Sequence, residues 1–322
     1  MAKKTKKSVY DIITEKIIKQ IESGTPPWKA GWMRKHFNGF AKREYQGLNQ
    51  LLLSWDMQVM EYTSPVWFSF KQVQQLGGSI RKGAKSSMVI FNKKITAQRN
   101  DKDEEKEDKK DDLEVFDESE QKKDKEEEKK AKKSKTFFLM RYYRVFNLDD
   151  VMGIDKSKYV NLTNTKEKKP ENIVKGMQND GLNIQYTGVQ PCYVPSWDTV
   201  QIPDIGNFES ADSYYSSLFH EIAHSTGHES RLKRAGVSKI DTGDKHQYSY
   251  EELVAEIGAA FLMAETGLRI NYENTSAYVK GWSKFIKENK KAIFQASAEA
   301  RKAVQYVVEK AEQVSDTSNK VA

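Results

Sequence analysis

Hydrophobic positions along the chain follow two different periods. Residues 8–23 place Ile12, Ile13, Ile17, Ile18 and Ile21 at helical spacing, and Gly24 ends the run. Segments 49–62 (NQLLLSWDMQVMEY) and 67–78 (WFSFKQVQQLGG) read as further helices, the second short and stopped by paired glycines. Residues 87–96 and 137–148 are rich in β-branched and aromatic side chains and read as two strands. Between these strands, at about 97–135, Lys, Glu and Asp displace almost every apolar residue. Such a segment cannot bury a core, so a disordered insertion in a hairpin connection is expected. A Lys-, Asn- and Thr-rich linker follows at 153–170. Strands are then predicted at 183–186 and 192–203, helices at 211–226 and 249–265, long helical segments over 274–314, and a disordered tail at 315–322. The pattern predicts an α+β chain of two domains, residues 1–152 and 171–314.

Composition narrows the classes. The 322 residues suffice for two cores. A single cysteine, Cys192, excludes a disulfide framework or a cysteine-built zinc knuckle and suits a reducing cytoplasm. No apolar run is long enough to span a membrane, and no signal-peptide core is visible, so no membrane partner is expected. The net charge of +7 is uneven: residues 1–100 hold 18 basic and 6 acidic side chains, whereas residues 101–135 hold 12 and 16. A basic N-terminal part interleaved with aromatics suits a polyanion-binding module, and a solvated lysine-rich surface is the plainer alternative.

Inside the predicted helix at 211–226 the chain spells His220-Glu221-Ile222-Ala223-His224. Histidines four apart share a helix face and can bind one zinc ion, and the adjacent Glu221 can act as general base on a metal-bound water. A third protein ligand has to come from elsewhere. In the downstream segment SYEELVAEIGAAFL, Leu253, Ile257, Ala260 and Phe261 mark the buried face. Glu252 and Glu256 border that face, and Glu251 is expected to be turned away. Glu252 is therefore the expected third ligand, the gluzincin arrangement, and Glu256 the expected partner behind a zinc-bound His. His228, just past Thr226-Gly227, is the alternative ligand or a loop contact, since its offset from His220 differs from the metzincin spacing. His246 is a weaker candidate, and Tyr248 or Tyr250 could stabilise an oxyanion. YVPSWDTVQIP reads equally as a zincin-type edge strand that pairs with an extended peptide or as an ordinary core strand. Two satisfied core histidines on an amphipathic helix are the plain alternative. The apolar flank of Leu218 and Phe219 argues against it. The expected chemistry is zinc-dependent peptide hydrolysis, with one Zn2+ per chain and an unknown protein substrate. No acidic metal cluster suited to phosphoryl transfer stands out.

These residues resemble a known family. FESADSYYSSLFHEIAHSTGHESRLKR followed by YSYEELVAEIGAAFL resembles the zincin-like peptidase domain of ArdC-type antirestriction proteins. GTPPWKAGW, REYQGLNQLLL, WFSFKQVQQLGGSIRKGAKSSMVIF and YYRVFNLDDVMGID resemble their single-stranded DNA-binding domain, which also opens TraC-type plasmid primases. The resemblance implies a mobile-element protein that binds single-stranded DNA and helps incoming DNA survive restriction. It also implies His220, His224 and a Glu of the EELVAE segment as ligands, with Glu221 as base. The charged insertion and Ala30-Gly31 depart from the family pattern. A protein that coats DNA without catalysis, its zinc domain structural, is the alternative.

Single-stranded DNA binders combine cations for phosphates with aromatic faces for bases. The candidates are Trp28, Trp32 and Tyr45 among Lys29, Arg34, Lys35, Lys42 and Arg43. A second basic cluster is Lys71, Arg81, Lys82 and Lys85. Trp67, Phe68 and Phe70 are assigned to the core.

Overall fold

The computed structural model describes residues 7–29, 33–97, 114–117, 135–163, 167–237, 245–270 and 276–321. The N-terminal half contains α1 (Val9–Glu22), β1 (Phe37–Asn38), β2 (Arg43–Glu44), α2 (Leu48–Val59), β3 (Val66–Ser69), α3 (Phe70–Gln75), β4 (Ser79–Ile80), β5 (Ser87–Ala97), β6 (Glu114–Asp117), β7 (Lys135–Asn147) and β8 (Val151–Met152). The C-terminal half contains α4 (Val160–Thr163), α5 (Pro170–Asn179), β9 (Asn183–Tyr186), β10 (Cys192–Val194), β11 (Thr199–Ile202), α6 (Ala211–Ser225), α7 (Lys245–Thr266), α8 (Ser276–Glu288) and α9 (Ala292–Val321). The fold is α+β.

The N-terminal sheet runs β2-β1-β3-β7-β5, with β6 also paired to β7. Its spine is the antiparallel β5–β7 ladder, in register from Ser87↔Val145 to Ala97↔Lys135. Helix α2 protects the outer edge of β5. The Asn49 amide accepts from the Ile90 N–H at 2.7 Å and donates to the Ile90 carbonyl at 2.9 Å, replacing a missing strand.

Behind this sheet sits a sealed polar chain. Trp67 Nε1 donates to His36 Nδ1 at 3.0 Å. An indole N–H can only donate, so Nδ1 carries no proton. His36 is then the Nε2–H tautomer and donates to Ser54 Oγ at 2.9 Å, while Ser54 donates onward to Met33 Sδ at 3.0 Å. Burial, followed by the charge of Arg34, holds the His36 pKa down to about 3.

Several segments depart from the sequence pattern. Residues 67–78 are not one helix. Val66–Ser69 pairs with β7, and helix α3 begins only at Phe70. Fully buried Trp67 and Phe68 gain more from the sheet than from a helix, and Ser69 with Gln72 forms the capping box that restarts the chain. Phe70, assigned to the core from sequence, is 52% exposed. Residues 192–203 form two strands broken by a 3₁₀ turn at Pro195–Trp197. Part of the expected linker is ordered: Tyr159 is buried and meets the Phe68 ring edge-on at 5.1 Å. The tail expected to be disordered continues α9 to Val321. Most of the charged insertion lies outside the described residues, although Glu114–Asp117 forms a strand against Phe137–Met140.

The two halves are joined through a shared core. Helix α1 buries Ile13, Ile17 and Ile21 in the same apolar cluster that holds Leu218 of α6 and Ile257 of α7. Thr14 Oγ1 donates to the Lys290 carbonyl at 3.0 Å, and Lys290 pairs with Asp11 at 2.6 Å. Trp28 stands edge-on to Trp282 at 6.0 Å.

In the C-terminal half, the sheet order is β10-β11-β9, with β10 antiparallel and β9 parallel to the central strand. Helix α6 touches both β10 and β11 and also packs on α7. The crossing of α6 and α7 is close: a Cβ at Gly258 would lie 3.0 Å from the Ala223 Cβ. That close approach carries the acidic turn of α7 up to the histidines of α6.

Candidate metal centre

Helix α6 starts where Ser210 Oγ accepts from the Ser213 N–H at 3.1 Å. Its apolar side, Leu218, Phe219 and Ile222, is fully buried. The other side presents His220 and His224 to α7. Their Nε2 atoms lie 3.1 Å apart, and Glu252 Oε1 and Oε2 lie 3.3 Å from His224 Nε2 and 3.5 Å from His220 Nε2. Two ligand atoms each about 2.1 Å from one tetrahedral ion lie about 3.4 Å apart. The separations and the two-imidazole, one-carboxylate donor set therefore fit a zinc-type cation. Ligand atoms of these three residues all fall within 4.8 Å of one another, and they are the one such group among the described residues.

The partner behind His224 is Glu251, not Glu256. His224 Nδ1 lies 3.4 Å from Glu251 Oε1, an ion-pair contact that falls short of hydrogen-bond geometry. Glu251 is fully buried, against the sequence expectation that it points away. Arg234 makes this possible. Its guanidinium donates to both Glu251 oxygens at 2.6–3.2 Å, to Thr226 Oγ1 at 2.7 Å and to the Ala223 carbonyl at 2.7 Å. One buried side chain thus neutralises Glu251 and ties off the C-terminal end of α6. Burial pulls Glu251 upward, but the His224 contact and Arg234 overcome it and leave the carboxyl below its ordinary value. Burial likewise disfavours charge on His224, and the Glu251 and Glu252 carboxylates override it and raise its pKa. Glu252 is correspondingly lowered: its contacts with His220 and His224 outweigh desolvation.

Glu256 instead pairs with Lys29 at 2.7 Å. With Trp28, Ser216 and His220 these two line a narrow cleft of about 20 Å³. The N-terminal half therefore supplies a wall beside His220. His228, the alternative ligand, lies outside the cluster: its Nδ1 is 2.8 Å from Ser230 Oγ and 3.8 Å from Asp198. It is a loop contact. The side chain of His246 lies outside the described residues.

Glu221 is 9% exposed, and its charge reaches two groups, the Cys192 thiol of β10 and the Tyr248 hydroxyl. Burial, then the Glu252 carboxylate, pushes Tyr248 up to about 12. Tyr250 packs on the core. In the sequence Cys192 bears only on disulfides, zinc knuckles and redox compartment; its strand position, one residue before YVPSW, is the signal for its place within reach of the Glu221 charge.

The candidate DNA contacts scatter. Trp28 is 1% exposed and serves the core, so its ring cannot take a base. Lys29 is held by Glu256 and Lys35 by Glu265 at 2.7 Å, and Arg81 is paired with Asp150. Tyr45 is half-buried, its hydroxyl accepting from Asn38 at 3.2 Å. Arg34, Lys42, Arg43, Lys71, Lys82 and Lys85 are exposed. Trp32 lies outside the described residues.

Comparison with known proteins fits this arrangement. Residues 7–146 match the N-terminal domain of anti-restriction factor ArdC, and residues 171–299 match the zincin-like metallopeptidase family. The chain joins an ArdC-type N-terminal domain to a zincin-like metallopeptidase domain. The metal-free crystal structure of the antirestriction ArdC protein from the R388 plasmid superimposes with a TM-score of 0.72 at 29% identity, covering 95% of this chain and 99% of that one. The Mn(II)-bound structure of the same protein gives 0.69 at 29% identity, covering 95% and 98%. The DNA primase TraC of Escherichia coli is 28% identical over 310 residues, 94% of this chain but only 27% of the primase. The chain thus spans about a quarter of that relative's length. No helix among the described residues is long and apolar enough to cross a membrane.

Proposed function

We propose that the C-terminal half is a zinc-dependent peptidase centre, with the ion held by His220, His224 and Glu252, in a protein whose N-terminal half binds single-stranded DNA. The observation that carries this reading is the convergence of ligand atoms 3.1–3.5 Å apart, a spacing suited to one ion. A cation of this class supplies Lewis acidity toward a carbonyl oxygen and a water acidified to near neutrality. Glu221 takes the proton of the attacking water and returns it to the leaving amine. Tyr248, still protonated at neutral pH, donates to the developing oxyanion. Arg234 and Glu251 hold His224 in place for this work. Strand β10, at the sheet edge and in contact with α6, offers an extended peptide a ladder to pair with. The likeness to ArdC supports a role in protecting incoming DNA from restriction.

Glu221→Gln is the test. It is expected to keep fold and metal while losing about 10²–10⁴-fold in hydrolysis of a quenched fluorescent peptide library. Wild-type hydrolysis in the variant would contradict the base assignment. Protection of incoming DNA that survives the change would assign protection to the DNA-binding half.

A further inference from the structure

Side chains alternate between the faces of a strand. Ser87, Val89 and Phe91 therefore share one face of β5, and the ladder sets Val145, Tyr143 and Arg141 of β7 opposite them. The first rows of this face are buried: Ser87, Val89 and Val145 are 5% exposed or less, and the two valines pack with Leu53 of α2 and Trp67. The cover ends there. Phe91 is 53% exposed and Tyr143 46%, with their ring centroids 6.5 Å apart and planes at 70°. Arg141 lies directly across from Phe91, and its buried Nε has no hydrogen-bond partner.

We propose that Phe91 and Tyr143, flanked by Arg141, form a base-stacking platform for single-stranded DNA. This rests on the single-stranded DNA reading of the N-terminal half and assigns its site. Two adjacent aromatic rings left in water on a rigid sheet match the π-faces of unpaired bases, and a guanidinium beside them matches the phosphates between those bases. Charge favours a polyanion as the occupant, because the first hundred residues carry 18 basic against 6 acidic side chains. None of the three residues belongs to the aromatic and basic loop clusters that the sequence singles out, and those clusters are partly spent on internal packing and ion pairs.

The test uses full-length protein and fluorescence anisotropy with a labelled thirty-nucleotide oligothymidylate, at several salt concentrations. Phe91→Ala and Tyr143→Ala are each expected to weaken binding about ten-fold. Both should keep the wild-type melting temperature and salt dependence, because the phosphate contacts stay. Phe91→Trp should restore affinity. Arg141→Gln should flatten the salt dependence by about one charge. If wild type binds and the double alanine variant binds equally well, the platform is wrong while the DNA reading stands. If wild type binds no single-stranded DNA, the DNA reading itself fails. A double variant that keeps DNA affinity but changes sedimentation would make the face a contact between copies and overturn the proposal.

Discussion

His36 and His224 are both sealed from water, at 0% and 4% exposure, yet their surroundings shift their pKa values in opposite directions. Around His36 every hydrogen-bond partner is neutral. The Trp67 indole demands an acceptor, and burial keeps the ring uncharged. Around His224 the walls are the carboxylates of Glu251 and Glu252, which favour a positive partner strongly enough to outweigh the same burial. A neutral wall makes an imidazole a structural link between helix and sheet. In the proposed centre an anionic wall makes it half of a cation-binding pair, in which a proton and a metal ion compete for one place. Residue type and burial do not separate these outcomes; the charge of the neighbours does.

The contrast breaks most severely at Arg234. Arg234→Leu leaves the Glu251 carboxylate buried without its guanidinium and is expected to cost about 3–5 kcal/mol by urea denaturation. The double variant with Glu251→Leu should recover much of the loss. A cost below about 1 kcal/mol for the single change would mean that the pair does not hold the anionic wall. Glu251→Gln keeps shape and removes charge, and it is expected to weaken zinc affinity by about 10–100-fold in chelator competition. Unchanged affinity would separate Glu251 from the centre.

His36 sharpens the other side. The unfolded chain protonates this imidazole near 6.5, whereas the folded chain resists until about 3. Stability is therefore lost as the pH falls through that window, by up to about 1.4 kcal/mol per pH unit. His36→Asn should be less stable at pH 7 but lose about one proton's worth of that slope. A slope that the substitution leaves unchanged would place a charged imidazole in the core.

Local sequence carried the centre further than it carried its surroundings. Spacing alone puts His220 and His224 on one helix face, and the apolar stripe of α7 puts Glu252 at its border. Glu251 and Glu256 exchange their expected surroundings because of contacts no local period encodes: Arg234 reaches in from a loop, and Lys29 from the other half of the chain. Trp28 sits in a Pro- and Gly-bearing stretch that reads as open, and Trp282 closes it from far along the chain. On the β5–β7 face the strands were legible, but only the pairing register and the reach of α2 reveal where cover stops and Phe91 and Tyr143 emerge.

Elemental analysis of wild type and Glu252→Ala, prepared side by side from zinc-supplemented growth, tests the central claim most directly. One zinc per wild-type chain, with a clear loss in a folded variant, is the result expected of a His220–His224–Glu252 centre. Full zinc retention in Glu252→Ala, or none in wild type, would contradict it.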